Sequence, residues 1–297
     1  MRRSAVVAAL AALALTGCAG QDLPSGQGDS SPAAKETAGL GAVDAPAAAG
    51  LAGLPSAHVH GVAVNPGDGQ VYLATHDGLF IATTQGWRAR GPVIDLMGFS
   101  VAGSDHFYAS GHPGPGTDLP NPVGLIESLD GGATWTPLSR QGQSDFHTLT
   151  TTPGGIAGYD GQLRVSPDGT EWSTAEGLSG AAFSLAGGED GVILATTERG
   201  LAISADDGSS WTVAAGAPVL LLVDWAAGET VVGVAPDGTV HVSGDSGRTW
   251  EPRGRVGGQP QALGATGAGA ELRIVAVIEG SVTESRDAGV TFGELQP

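Results

Sequence analysis

The sequence predicts an all-β protein, a six-bladed β-propeller in which each blade is a four-stranded antiparallel sheet. The first observation is a short motif ending in an aromatic residue, which recurs with its aromatics 37 to 48 residues apart. The second is the sequence between the motifs, where short apolar runs alternate with Gly, Asp and Pro, as strands and turns do. A repeat of about forty residues with one hairpin in each unit is typical of propeller blades.

The motif is clearest in SLDGGATW, which runs from Ser128 to Trp135. Four close copies end at Trp172, Trp211, Trp250 and Phe292, and a weaker copy without the Ser and the Asp ends at Trp87. The Asp carboxylate can accept hydrogen bonds from its own turn, and the Gly tolerates positive φ. We therefore expect each copy to form the hairpin between the third and fourth strands of a blade, with a structural Asp.

The pattern S-x-D-x-G-x-T-W resembles the Asp-box, or BNR repeat, of sialidases, sortilin-type receptors and exported bacterial lipoproteins described as glycosyl-hydrolase-like. The resemblance covers about residues 56 to 297. It implies a propeller and, as an expectation, a sialidase-like or glycosyl-hydrolase-like activity. Sialidases also carry an Arg-Ile-Pro motif and bind the substrate carboxylate with three arginines. This chain has no Arg-Ile-Pro, and only Arg140, Arg199 and Arg255 are expected to reach the binding face, so that triad is not evident.

Each unit supplies strands A, B and C before the motif and strand D after it, counted from the inside of the ring outwards. In chain order the segments are HGVAVNP, QVYLATH and GLFIATT; the stretch from Asp95, HFYASGH and GLIES; DFHTLTT, GIAGYD and QLRVS; FSLAG, VILATT and LAISA; LLLVDW, TVVGVA and TVHVS; QALGAT, LRIVAVI and SVTES. Because every unit begins with A and ends with D, we expect the ring to close by packing rather than through a shared blade, unless a strand within residues 51–59 joins another blade. An insertion from Pro113 to Pro122 is expected to be a lid, a specificity loop or a plain surface loop.

The N-terminus predicts an exported lipoprotein. Residues 1–18 combine two arginines, an apolar run and the sequence Leu-Thr-Gly-Cys, the pattern of a lipoprotein signal peptide with a lipobox. Cys18 is the predicted lipidation site and membrane anchor. Residues 19–55, rich in Ala, Gly, Pro and Ser, are predicted to be a flexible tether, and residues 56–297 the propeller. The predicted location is extracytoplasmic, lipid-anchored to the cell membrane.

Charge and cysteine content narrow the function classes. The formal net charge is −18 at pH 7, which disfavours nucleic acid as a partner because its phosphates would be repelled. Cys18 is the single cysteine, so no intramolecular disulfide can form and the core alone must hold the fold.

Alignment of the six units places four of the seven histidines at one end of adjacent blades. His60 and His147 lie at the start of A strands, whereas His76 and His112 follow B strands. These two kinds of connection share one face of a propeller, so we expect the residues to converge at the channel mouth. The predicted binding residues are His58, His60, His76, Asp95, His112, Asp145 and His147.

Imidazoles that converge from separate strands next to carboxylates can bind Zn²⁺ or Cu²⁺. The candidate metal ligands are His60, His76, His112 and His147. The alternative is that these histidines hydrogen-bond to backbone groups and line a wet channel.

The predicted function is ligand binding at this channel mouth. The more specific hypothesis is that the ligand is a transition metal ion. One alternative is a sialidase-like glycoside hydrolase acting on an extracellular glycan, for which the candidate nucleophiles, acids and bases are Asp77, Asp95, Asp145, Tyr159, Asp160 and Glu198. A second alternative is a docking or assembly scaffold with an extracellular protein ligand.

Overall fold

The computed structural model describes residues 53–296 and confirms the predicted six-bladed propeller. Each blade is an antiparallel sheet of four strands that follow one another in the chain, from the channel to the outer edge. A 3-10 turn, Gly269–Glu271, is the single helical element of the described residues.

The strands of the first three blades are β1–β4 (Val59–Val64, Val71–Thr75, Gly78–Thr83, Gly86–Arg90), β5–β8 (Ile94–Gly103, His106–Pro113, Leu125–Ser128, Thr136–Ser139) and β9–β12 (Thr148–Thr152, Gly155–Tyr159, Leu163–Ser166, Ser173–Thr174). The strands of the last three are β13–β16 (Ser184–Gly187, Ile193–Thr197, Gly200–Ser204, Thr212–Val213), β17–β20 (Leu222–Ala227, Thr230–Val234, Thr239–Ser243, Glu251–Arg255) and β21–β24 (Pro260–Thr266, Arg273–Ile278, Ser281–Ser285, Gly293–Glu294).

The repeated motif forms the turn between the third and fourth strands of a blade, as predicted. In blade four, Ser204 Oγ accepts the Gly208 N–H at 2.9 Å and donates to Asp206 at 2.8 Å. Asp206 also accepts the amide and hydroxyl of Ser210, which hold the pKa of Asp206 below its usual range. Asp207 and Gly208 both have positive φ. The turns of blades two, five and six repeat this bonding, so their carboxylates are committed to structure.

The six inner strands, β1, β5, β9, β13, β17 and β21, surround a channel with a cavity of about 340 Å³. Each inner strand has one edge without a partner strand, and its backbone groups need hydrogen bonds. Side-chain oxygens on one inner strand accept amide protons from the next: Thr150 from Gly187 at 2.7 Å, Ser184 from Val223 at 3.3 Å, and Asp224 from Ala265 at 2.6 Å.

Neighbouring inner strands also approach closely, and glycine makes this possible. A Cβ atom at Gly98 would lie 2.3 Å from the carbonyl oxygen of Phe146 on the next blade. Any side chain there would push blades two and three apart.

The ring closes by packing, as the strand order predicted. Buried side chains of blade one, including Val62 and Leu73, share one core cluster with Val275 and Val277 of blade six. Arg273 also donates a hydrogen bond to the carbonyl oxygen of Gly69, in the first turn of blade one. No strand passes from one blade to another within residues 53–296.

The predicted signal peptide, the lipidation site Cys18 and residues 19–52 of the predicted tether lie outside the described residues. The last three tether residues are described, and Leu54 among them packs against the core cluster shared by blades one and six. The described residues include no helix long and apolar enough to cross a bilayer.

Replacement of Ser204 by Ala tests the repeated turn. The change leaves the buried Gly208 N–H without its acceptor, which costs about 1–3 kcal/mol. We expect the free energy of unfolding to fall by that amount in urea titrations. Ser209→Ala, an exposed serine in the same turn, is the matched control and should change stability by less than about 0.5 kcal/mol. Equal effects of the two substitutions would contradict the role of the buried hydroxyl.

Replacement of Asp224 by Asn tests the contact between the inner strands of blades five and six. Burial raises the pKa of Asp224 to about 7. The native state therefore holds this proton up to neutral pH while the unfolded chain loses it near pH 4, so stability falls as pH rises between these values. Asn keeps the acceptor for Ala265 without the charge.

We expect Asp224→Asn to match the parent at pH 4 and to exceed it by about 1–2 kcal/mol at pH 8, less than the full shift because the carboxylate faces the channel. Denaturant unfolding at both pH values measures this. Asp190→Asn, on an exposed turn, is the control. A difference that does not depend on pH would show that the pKa of Asp224 is the same in the folded and the unfolded state, and would contradict the effect of burial.

Candidate functional site

The structure brings all seven predicted binding residues into contact at one end of blades one to three. They come from the starts of inner strands and from the ends of second strands, which share one face of the ring. We call them the His/Asp cluster; its members are His58, His60, His76, Asp95, His112, Asp145 and His147.

A bulge in one blade and a regular strand pair in the next position three of these side chains. The pairing of β1 with β2 skips His60, which lies in a bulge and is turned away from the ladder. Asp95 pairs directly with His112 across β5 and β6, so their side chains lie on the same side of the sheet. Gly111 is required beside them, because a Cβ atom there would lie 1.9 Å from the carbonyl oxygen of Asp95.

Asp95 lies between two imidazoles. His112 Nδ1 is 3.2 Å from Asp95 Oδ2 and hydrogen-bonds to it. His76 Nδ1 is 2.6 Å from Asp95 Oδ1, but this short contact lacks hydrogen-bond geometry, so Oδ1 has no hydrogen-bond partner. The rings of His60 and His58 pack edge-on against His76, with centroids 4.5 and 5.1 Å away.

Asp145 also lies between two imidazoles. Its Oδ2 is 2.9 Å from His147 Nε2 and 3.5 Å from His112 Nε2. Carboxylates and imidazoles therefore alternate in one series of contacts across blades one to three, in the order His76, Asp95, His112, Asp145 and His147.

His60 is the most shielded imidazole of the cluster. Its Nε2 atom is buried without a hydrogen-bond partner. Burial and, after it, the neighbouring His76 lower the pKa of His60. The ring is therefore neutral at pH 7, and its Nε2 is available as a donor to a metal ion. One ligand atom from each of His60, His76 and Asp95 lies within 4.8 Å of the other two.

Unpaired polar atoms concentrate in the cluster. Four buried side-chain nitrogen or oxygen atoms of residues 53–296 lack a hydrogen-bond partner, and three of them are His60 Nε2, Asp95 Oδ1 and Asp145 Oδ1. An unpaired buried polar atom costs about 1–3 kcal/mol. A cation held by His60 and Asp95 would satisfy the first two of these atoms, which is the chemistry that this donor set favours; Asp145 does not belong to the same group of ligand atoms.

Within the described residues, the side chains of the four remaining candidate catalytic residues make no hydrogen bond or ion pair with the cluster; the backbone carbonyl oxygen of Tyr159 accepts the N–H of His147 at 2.9 Å. Asp160 is instead bound to Arg164 at 2.7 Å, to Ser144 at 2.5 Å and, more loosely, to Arg140. These bonds hold the pKa of Asp160 below its usual range against the effect of burial. Arg140, expected to reach the binding face, is occupied by the same carboxylate.

The other three candidates occupy different positions around the ring. Tyr159 packs on the core cluster of blades three and four. Asp77 and Glu198 lie in the turns after the second strands of blades one and four, and Glu198 is next to Gly180. Their proposed catalytic roles stay predictions.

Sequence reasoning missed Asp224, which lines the channel on β17. It was assigned only to the strand segment LLLVDW. The available signal was a carboxylate inside an otherwise apolar inner strand, a position that needs a specific partner. The insertion after His112 is anchored through Leu119, which packs on the core of blades one and two; its role as a lid stays a prediction.

The comparisons with known proteins identify the fold. No protein-family model and no curated protein matches the chain. YCF48 bound to D1 peptide is similar with a TM-score of 0.51 and 16% identity, over 82% of each chain. An ancestral GH74 enzyme is similar with a TM-score of 0.52 and 16% identity, over 80% of this chain and 37% of its own. The Neurospora crassa Pan2 WD40 domain is similar with a TM-score of 0.50 and 11% identity, over 75% of this chain and 86% of its own. These identities support a shared propeller fold alone.

Substitution of His76 by Ala tests the electrostatics of His60. The change admits water, which lessens the desolvation of His60, and removes the electrostatic effect of His76 on it, so the pKa of His60 should rise. Titration of the imidazole carbon-bound protons by NMR measures it. His241→Ala, on β19 of blade five, is the matched control and should leave the His60 titration unchanged. A His60 pKa that stays constant or falls in the His76 variant would contradict this account.

Proposed function

We propose that this protein is a lipid-anchored, extracytoplasmic propeller of Asp-box type that binds a transition metal ion, Zn²⁺ or Cu²⁺, at its channel mouth. The proposed ligands are His60, His76 and Asp95. The ion is held where the inner strand of blade one meets blade two.

The convergence of these three donors carries the proposal. One ligand atom of each residue lies within 4.8 Å of the other two. His60 and Asp95 each also have a buried atom, Nε2 and Oδ1, without a hydrogen-bond partner. Imidazole nitrogen with carboxylate oxygen is a donor set that both ions accept. Three protein ligands also leave a coordination position for water or a small ligand, as in metal sites that exchange ligands.

The finer parts of the proposal depend on the sequence. The Ser-Asp-Gly turns resemble Asp-boxes in residue pattern, and their bonding explains why Ser, Asp and Gly recur together. The lipobox ending at Cys18 supports export and anchoring. An acidic domain outside the membrane suits capture of a cation.

A glycoside hydrolase is the first alternative, since one of the similar structures is a GH74 enzyme. A hydrolase needs a carboxylic acid and a second carboxylate free to act on the substrate. Asp160 is engaged by Arg164 and Ser144, and the carboxylates of the His/Asp cluster lie against imidazoles rather than in an acid and base pair. Imidazoles beside carboxylates are the donor set of a metal site, and for that reason we place metal binding first.

A docking scaffold is the second alternative, and YCF48 is an example of a similar structure with a bound peptide. A docking surface is usually a continuous apolar patch. The exposed large apolar residues here are spread over several blades and both faces: Val93, Leu129, Phe183, Val213, Val219 and Val290.

The first test is the thermal stability of the full chain, purified without a polyhistidine tag and stripped by a chelator, with Zn²⁺ or Cu²⁺ added. A specific ion at 100 times its Kd stabilises the fold by about 2.7 kcal/mol, which raises Tm by several degrees. We expect His60→Ala to abolish this rise at low ion concentration.

His241→Ala changes a histidine of blade five, outside the cluster, and should keep the rise in Tm. This control shows that removal of an arbitrary histidine does not abolish the rise. A parent protein whose Tm does not respond to either ion would overturn the metal proposal and direct work towards glycans and protein partners.

A further inference from the structure

We propose that His112, Asp145 and His147 form a second cation site beside the first, so that the channel mouth binds two ions. This inference depends on the proposed function for the class of ion, but it rests on different residues. All three come from blades two and three, whereas the first ion is held mainly by blade one.

The orientation of His112 is the first step. Its Nδ1 hydrogen-bonds to Asp95 Oδ2 at 3.2 Å. In the tautomer that donates this bond, Nε2 carries a lone pair, and it faces Asp145 Oδ2 at 3.5 Å. Two electron-rich atoms in this position repel each other unless a proton or a cation lies between them. An imidazole that donates from one nitrogen to a carboxylate is also how proteins commonly hold a metal-ligating histidine.

Asp145 supplies the negative charge of the site. Its Oδ1 is buried without a hydrogen-bond partner, whereas Oδ2 hydrogen-bonds to His147 Nε2 at 2.9 Å and lies 3.5 Å from His112 Nε2. The backbone N–H of His147 is fixed by the carbonyl oxygen of Tyr159 at 2.9 Å, which holds the residue next to Asp145. Two imidazoles and one carboxylate have the same donor chemistry as the first site. Their ligand atoms converge less, because among the described residues only those of His60, His76 and Asp95 all lie within 4.8 Å of one another, so a bound ion would draw the two rings together around Asp145.

Asp95 connects the two sites. One of its oxygens approaches His76 in the first site, and the other orients His112 in the second. The imidazole of His112 lies between Asp95 and Asp145, so no single carboxylate bridges both ions. The sites are therefore separate, and Asp95 is a ligand of the first ion and a positioning residue for the second.

The exposure of the ligand side chains determines which of the two sites binds its ion more tightly. The side chains of His112 and His147 are 38% and 60% exposed, whereas His60 Nε2 is buried. Water competes better for an exposed site and screens its charges. We expect the second ion to bind at least tenfold more weakly than the first.

Isothermal titration of the chelator-stripped full chain with Zn²⁺ tests this inference, with metal analysis of the dialysed protein as a second readout. We expect two ions in two steps for the parent. His147→Ala and Asp145→Asn should lose the weaker step and keep the tighter one; the second variant preserves the shape of the side chain. His60→Ala should lose the tighter step and keep the weaker one.

Asp95→Asn should weaken both steps, and His241→Ala should weaken neither. Binding of one ion, unaffected by His147→Ala, would overturn the second site and would mean that a proton lies between His112 and Asp145. Binding of no ion would overturn the proposed function itself, so the two failures are distinguishable. Equal Tm values of the stripped variants and parent confirm that each variant is folded.

Discussion

The unpaired inner edge of each sheet is the constraint on which the rest of the ring depends. Six such edges meet around the channel, and their backbone groups have no partner strand. Hydroxyls such as those of Thr150 and Ser184, and the carboxylate of Asp224, satisfy amides of the next blade. Glycine at Gly98 lets adjacent inner strands come close. Each junction between two inner strands has its own set of hydrogen bonds. The residues at one end of an inner strand can therefore differ between blades while the ring stays intact.

The His/Asp cluster uses this freedom. It occupies equivalent ends of three adjacent blades, where a bulge contains His60 and regular pairing places Asp95 opposite His112. The repeated turns lie at the opposite ends of the strands, where Asp206 and its counterparts are bound to their own turns. The carboxylates that hold the fold and those that face the channel mouth are therefore separated by the length of a strand.

The blades and the location of the cluster could be predicted from sequence because both follow from a repeat. Each motif determines its own hairpin, and alignment of the units then places His76 and His112 at equivalent positions. The partners of individual side chains could not be predicted in this way. Rotamers and packing between blades decide whether Asp160 faces a substrate or Arg164, and whether Asp95 lies between two rings. An alignment of repeats contains no information on rotamers or on packing between blades. The signal peptide, lipidation and tether remain predictions.

Closure by packing has a consequence for the order of the chain. Every sheet is made of consecutive strands, so cutting the chain between any two blades divides no sheet. The two ends of the described chain are also close to the same core, because Leu54 and Leu295 both pack on the cluster shared by blades one and six. The propeller is therefore suited to circular permutation. Its six junctions are interchangeable starting points, and the arrangement of blades around the channel does not depend on which blade comes first.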